Sequence, residues 1–184
     1  MKVTESKKIK GLLFLEMEKF EDERGFFTRN FCSKTLEDNY GNSRIEQANI
    51  SFNRFKGTIR GFHYQINNHE EAKTVTVYSG SLHYKVVDLR KNSESYLEHE
   101  SFELNSLSKV VQVPRGCAPA FQTLEDETLL HYYVSNSYSK ENEAGIRYND
   151  PFFKFEWPLA VSVVSDRDQS FPDFDSKNFS GLRD

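Results

Sequence analysis

Lys73-Thr74-Val75-Thr76-Val77-Tyr78-Ser79-Gly80-Ser81-Leu82-His83-Tyr84-Lys85-Val86-Val87-Asp88 reads as two alternating runs on either side of a Ser-Gly-Ser break. Apolar residues at every second position mark a strand with one buried face, and a small-residue break between two such runs predicts a hairpin. Outward from it, further short strands are predicted at 11–16, 26–31, 44–52, 58–64, 100–104, 109–113 and 128–135, separated by clusters of Gly, Asn, Pro and Ser. Helical spacing is confined to Ser33 to Tyr40, where Ser33 is the expected cap. Many short, evenly spaced strands argue for a sandwich or barrel. The expected architecture is all-β, a jelly roll, with one domain over residues 1–184 and a polar last stretch, Phe171 to Asp184, only loosely held.

Composition narrows the function classes. Lys+Arg 24 against Asp+Glu 28 gives a formal charge of −4, so there is no cationic excess to neutralise a polyphosphate backbone, and nucleic-acid binding is disfavoured. Apolar runs such as Gly11 to Leu15 fall far short of the roughly 20 residues that cross a bilayer. No apolar stretch of signal-peptide length follows Met1 to Lys10, so a cytoplasmic address and no membrane partner are expected. Cys32 and Cys117 lack a CxxC spacing and are expected to be buried or half-buried free thiols. The aromatic load, 16 Phe, 9 Tyr and 1 Trp, suits pleated surfaces and argues against disorder.

The 5 histidines raise the question of a metal, since jelly rolls often hold one with two His one residue apart, a carboxylate and a distant third His. That pair is absent: His63 is followed by Tyr64 and Gln65, and Pro114-Arg115-Gly116-Cys117-Ala118-Pro119 offers no imidazole. A divalent site needs three or four converging ligands, so no metal and no cofactor are expected. His69, His83, His99 and His131 read as surface or strand-face polar residues. His63 differs, because Arg60-Gly61-Phe62-His63-Tyr64-Gln65 is an apolar, aromatic strand in which an imidazole must find a partner. From the residues alone, a satisfied core histidine is the simpler account of it.

Other segments accompany it: Asp22-Glu23-Arg24-Gly25-Phe26-Phe27, Gln47-Ala48-Asn49-Ile50-Ser51, the strand that starts at Lys73, and Val87-Asp88-Leu89-Arg90. Tyr132 and Tyr138, Asn149-Asp150-Pro151, Trp157-Pro158 and Ser165-Asp166-Arg167-Asp168 follow in order. Through these the chain resembles, nearly end to end, the dTDP-4-dehydrorhamnose 3,5-epimerase family, a metal-free branch of the cupin jelly rolls (double-stranded β-helices) that acts on nucleotide-linked 4-keto-6-deoxy sugars. The resemblance implies a homodimer whose N-terminal strands associate, and a role in cell-surface polysaccharide synthesis.

Epimerising a carbon beside a ketone requires a base to take the α-proton, a cation to hold the charge that moves to the C4 oxygen, and an acid to return a proton on the opposite face. The resemblance assigns the base to His63 with Asp168 behind it, the cation to Lys73 and the acid to Tyr132. Imidazole suits the first task by its pKa, and a phenol suits the last if a nearby positive charge lowers its own. Tyr133 then belongs to the other sheet face. Arg24, Arg60 and Arg167 are matched to the diphosphate, Gln47 and Asn49 to the nucleotide, Phe20 or Phe27 to stacking on the base, and Tyr138 and Glu143 to the substrate's surroundings. Arg60 and His63 are three apart, so a regular strand would turn them to opposite faces; Gly61 marks a bulge, or Arg60 lies at the end of the sandwich.

The chain departs from the family at three places. Pro119 replaces an active-site histidine, Tyr84 stands where an aspartate is usual, and Arg29 replaces a glutamate of the nucleotide region. The reading is therefore an epimerase with altered substrate or single-carbon selectivity, with CDP- or GDP-linked sugars as alternatives to dTDP. A non-catalytic sugar-nucleotide-binding cupin is the competing class.

Overall fold

A computed structural model describes residues 1–183. The strands run β1 (Lys2–Glu5), β2 (Leu13–Glu16), β3 (Lys19–Asp22), β4 (Gly25–Thr28), β5 (Gln47–Asn53), β6 (Ile59–Gly61) and β7 (His63–Gln65). They continue with β8 (Lys73–Ser79), β9 (Ser81–Asp88), β10 (His99–Asn105), β11 (Lys109–Val113), β12 (Cys117–Thr123), β13 (Thr128–Val134) and β14 (Glu143–Gly145). The helices are short: α1 (Ser33–Glu37), α2 (Asp166–Ser170) and a 3-10 turn at Lys140–Asn142.

A six-stranded sheet, β1-β2-β11-β8-β13-β5, faces a four-stranded one, β10-β9-β12-β6, and β7/β14 and β3/β4 form two-stranded ribbons. Alternation decides which side chains meet between the sheets. Val75, Val77, Val111, Val113 and Leu130 of the first pack with Leu82, Tyr84, Val86, Leu104 and Phe121 of the second. Burying side chains of this size contributes about 1.5–3 kcal/mol each, so this layer is the main source of cohesion. This is the jelly roll expected from the strand pattern.

The predicted hairpin is corrected. β8 and β9 are consecutive, but β8 lies between β11 and β13 while β9 lies between β10 and β12. The Ser-Gly-Ser break carries the chain from one sheet to the other. Gly80 makes this possible, with φ +77 and a position where an added Cβ would meet Thr128 Oγ1 at 2.4 Å. Period-two alternation reports that each strand has an inner face, not that the two strands pair.

The other differences have local causes. No strand is predicted over Cys117–Thr123, yet β12 is central to its sheet and buried along its whole length. A strand buried on both faces shows no alternation, and Pro119 argues against a central position because it cannot donate to the ladder. The strand predicted at 26–31 ends at Thr28, and the N-cap of α1 is Cys32 rather than Ser33, with no side-chain cap bond. The last stretch, as far as Arg183, is packed rather than loose, Asp184 lying outside the described residues: Phe174, Phe179 and Leu182 join Phe62, Phe153, Phe155 and Trp157 in a second apolar cluster. The Leu182 N–H donates to the Leu89 carbonyl at 2.7 Å. That cluster covers the outer face of β9 and β12 through Val87, Ala118 and Ala120.

Candidate active site

A cavity of about 550 Å³ opens between the sheets. His63 lines it and is the best-buttressed titratable group there. Its Nε2 lies 2.8 Å from Asp168 Oδ1, while Asp168 Oδ2 accepts the Gly61 N–H at 3.0 Å. A carboxylate acceptor requires the hydrogen on Nε2, so the Nδ1 lone pair is left for chemistry. Asp168 sits in the first turn of α2, where Ser165 Oγ caps its N–H at 3.1 Å. Burial pushes its carboxyl up, but the bonds from His63 and Gly61 and the Ser165 cap outweigh this and hold it below the usual carboxylate range. Phe171 packs over Gly145, beside His63 in the β7/β14 ribbon, with its ring 6.3 Å from the imidazole.

Arg60 and His63 both line the cavity despite their spacing. β6 ends at Gly61, whose φ is +113, and an added Cβ there would stand 2.7 Å from Ala120 Cα and the Pro119 carbonyl. The strand resumes at His63 paired with β14 instead of β12. The bulge weighed from sequence is corrected to a break: β6 pairs with β12 in unbroken register up to Gly61, and the chain then changes partner. Arg60 Nε is fixed by Asn53 Oδ1 at 2.7 Å.

Lys73, the first residue of β8, sends its ammonium to the His63 carbonyl at 3.2 Å and to Glu71 Oε1 at 3.2 Å. Tyr132 projects between the sheets against the core containing Tyr84, whereas Tyr133 lies edge-on to Phe31 and His131 on the opposite face. The condition set for Tyr132, a positive charge that lowers its pKa, is met only in part. Burial pushes the phenol up, Glu71 adds to this, and Arg60 offsets only part. Tyr132 therefore enters neutral pH fully protonated.

At the rim, Gln47 Oε1 accepts the Tyr138 N–H at 3.0 Å, and the Tyr138 hydroxyl donates to Glu143 Oε2 at 2.7 Å. Glu143 also pairs with Arg167, and Asn49 lines the cavity between these groups and the core. The inner wall is formed by the side chains of Tyr84, Pro119 and Phe121. Tyr84 stacks between Phe102 and Phe121, and burial pushes its phenol far up. Glu71, Gln65 and Phe171 were missed from the sequence. Glu71 was legible as the residue two before Lys73, on the same side of an extended chain.

Three predicted site residues are not brought to this cavity. Phe20, Arg24 and Phe27 lie on the β3/β4 ribbon, where the two rings are 59% and 65% exposed and Arg24 pairs with Asp22. Arg29 follows the ribbon and is exposed as well. His69, His83, His99 and His131 are half-buried on other faces, and each has one ring nitrogen without a hydrogen bond among the described residues. Among those residues no cluster of three His, Cys, Asp or Glu could hold a metal ion, and no helix is long and apolar enough to cross a membrane.

Residues 6–176 match the model of the dTDP-4-dehydrorhamnose 3,5-epimerase family. A Shigella flexneri protein of that name is 35% identical over 172 residues, 91% of this chain and 94% of that one. A Streptomyces niveus dTDP-4-dehydrorhamnose 3-epimerase is 31% identical over 163 residues, 88% of this chain and 78% of its own. The crystal structure of a Legionella pneumophila 3,5-epimerase in complex with dTDP-4-keto-L-rhamnose superposes with a TM-score of 0.88 at 28% identity, covering 99% of this chain and 97% of that one.

Proposed function

The chain belongs to the dTDP-4-dehydrorhamnose 3,5-epimerase family, isomerases acting on a nucleotide sugar, and from that premise we propose how its own residues carry out the reaction. His63 Nδ1 takes the proton from the carbon next to the C4 ketone; the C–H electron pair becomes the carbon–carbon double bond of the enolate and the carbonyl π pair moves onto the C4 oxygen. Asp168 orients the ring and balances the imidazolium that forms. Lys73 holds the enolate oxygen, in a site where little water competes for the charge. Tyr132 returns a proton to the opposite face. Arg60 and Arg167 take the diphosphate, Gln47 and Asn49 the nucleotide, and Tyr138 with Glu143 the rim nearest the sugar. The single observation carrying this reading is the His63–Asp168 pair at 2.8 Å, in a cavity that also contains an ammonium and a protonated phenol.

A second reading, inversion at one carbon only, is favoured by the inner wall. Tyr84, Pro119 and Phe121 give that side neither carboxylate nor imidazole, so a second proton transfer has fewer groups to serve it. A non-catalytic binder is disfavoured by the same pair that carries the first reading, since holding a nucleotide sugar requires no buttressed imidazole.

A homodimer belongs to this proposal. The exposed ribbon bearing Phe20, Arg24 and Phe27 is supplied to a second copy, where those residues would meet the nucleotide. One domain spanning the chain and a cytoplasmic address complete it, the latter supported by two free cysteines.

The test is deuterium incorporation at C3 and C5 of dTDP-, CDP- and GDP-linked 4-keto-6-deoxyglucose in deuterated buffer. Label at both carbons of the dTDP sugar is expected under the first reading and label at one under the second. A folded protein that labels none of the three sugars would end the catalytic proposal.

A further inference from the structure

Glu71 is held in an unusual way for a carboxylate beside a catalytic lysine. Its side chain is only 10% exposed, and both oxygens are engaged: Oε1 with Lys73 Nζ at 3.2 Å and Oε2 with the Gln65 amide at 2.9 Å. Gln65 is itself immobilised. Its two amide hydrogens are shared among Glu71 Oε2 and the carbonyls of His69 and Ser137, and its Oε1 accepts the Ser139 N–H at 2.6 Å. The carboxylate is thus built into a frame rather than resting on a mobile side chain. Its negative charge lies in the cavity that Tyr132 also lines.

We infer that Glu71 is a positioning residue that fixes the Lys73 ammonium at the cavity wall and imposes a negative field on the Tyr132 phenol. The inference rests on the reading of Lys73 and Tyr132 as the cation and acid of the reaction. Other titratable groups lining the cavity are Arg60 of β6, His63 and Tyr64 of β7, Lys73 of β8, Tyr84 of β9, Tyr138 and Glu143 at the rim and Arg167 of α2. Burial between the sheets and Glu71 keep the donor loaded, and Arg60 opposes them. Glu71 therefore acts on two steps in opposite directions. It tempers the charge with which Lys73 attracts the enolate, and it keeps Tyr132 protonated to higher pH.

The test uses the full chain with Glu71→Gln, which keeps the shape and removes the charge, and Glu71→Asp, which keeps the charge. Tyr132 ionisation is read as the tyrosinate absorbance difference between each protein and the same protein carrying Tyr132→Phe. In Glu71→Gln the phenol is expected to titrate at lower pH than in the unmodified chain, because the removed carboxylate opposed the phenolate. The alkaline limb of kcat is expected to move down by the same amount, and Glu71→Asp to return both toward the original position. An unchanged Tyr132 titration in Glu71→Gln, or equal displacement in the Gln and Asp variants, overturns the inference. Glu71→Ser is a second charge-free variant with the same expected and overturning results should Glu71→Gln not fold. The absorbance measurement needs no substrate, so a chain that labels no sugar would sink the catalytic reading while the Glu71–Tyr132 link stays measurable.

Discussion

Asp168 is a single side chain on which two parts of the site depend. One oxygen orients the imidazole and the other holds the Gly61 amide, at 2.8 and 3.0 Å. Asp168→Asn keeps the shape but offers an amide where a charge is needed, and proton exchange into substrate is expected to fall by about 10²–10⁴-fold. Its pH signature follows from the lowered carboxyl pKa. A group depressed on folding contributes stability that is complete above the unfolded value, near 3.8, and is lost as the pH falls through the folded one. Urea unfolding from neutral to acid pH should therefore show a steeper acid loss in the unmodified chain than in Asp168→Asn; parallel curves would contradict the assignment. Little of this was legible from position 168 itself, which reads as one more acid in a polar loop. His63 was more legible, because an imidazole in an aromatic strand demands a partner. The pairing joins residues too distant in the chain for spacing to reveal it.

Elements were legible where one face is buried and the other is not. β11 was found with its observed bounds, and β5, β10 and β13 to within a few residues, because their inner and outer faces differ in chemistry. β12 was invisible because both of its faces are covered. The β8–β9 connection was misread because a turn that pairs strands and one that crosses between sheets use the same small residues. The break between β6 and β7 is the element on which the site depends most, since it alone lets Arg60 and His63 share a cavity. Gly61→Ala puts a methyl against Ala120 and the Pro119 carbonyl at a φ of +113. A loss of about 1–3 kcal/mol is expected from backbone strain of this kind. It should appear as a lower urea midpoint, together with a KM increase as Arg60 shifts. A variant as stable and as tight-binding as the original would show that the break can be reshaped freely.

At the scale of the whole molecule, the two sheets differ in how much solvent they meet. The six-stranded sheet ends in the edge strand β5, with Ile50 71% and Phe52 50% exposed, and the β3/β4 ribbon adds Phe20 and Phe27. Apolar surface of that extent on an edge calls for a cover. Sedimentation equilibrium is expected to give twice the 21.5 kDa chain mass, and Phe20→Ser with Phe27→Ser to weaken the dimer and raise KM together. A monomer that keeps its KM through both changes would remove the ribbon from the site. The four-stranded sheet has the opposite character: the centres of β9 and β12 are enclosed by the cavity and core on one side and by the C-terminal cluster on the other. This makes the two halves of the pocket unequal as material for laboratory evolution. Randomising the β5 side, at Gln47 and Asn49, leaves room for new side chains to turn toward water. Randomising Tyr84 or Pro119 forces repacking through the thickness of the molecule, so new substrate preferences should arise more readily from the β5 side than from the wall formed by β9 and β12.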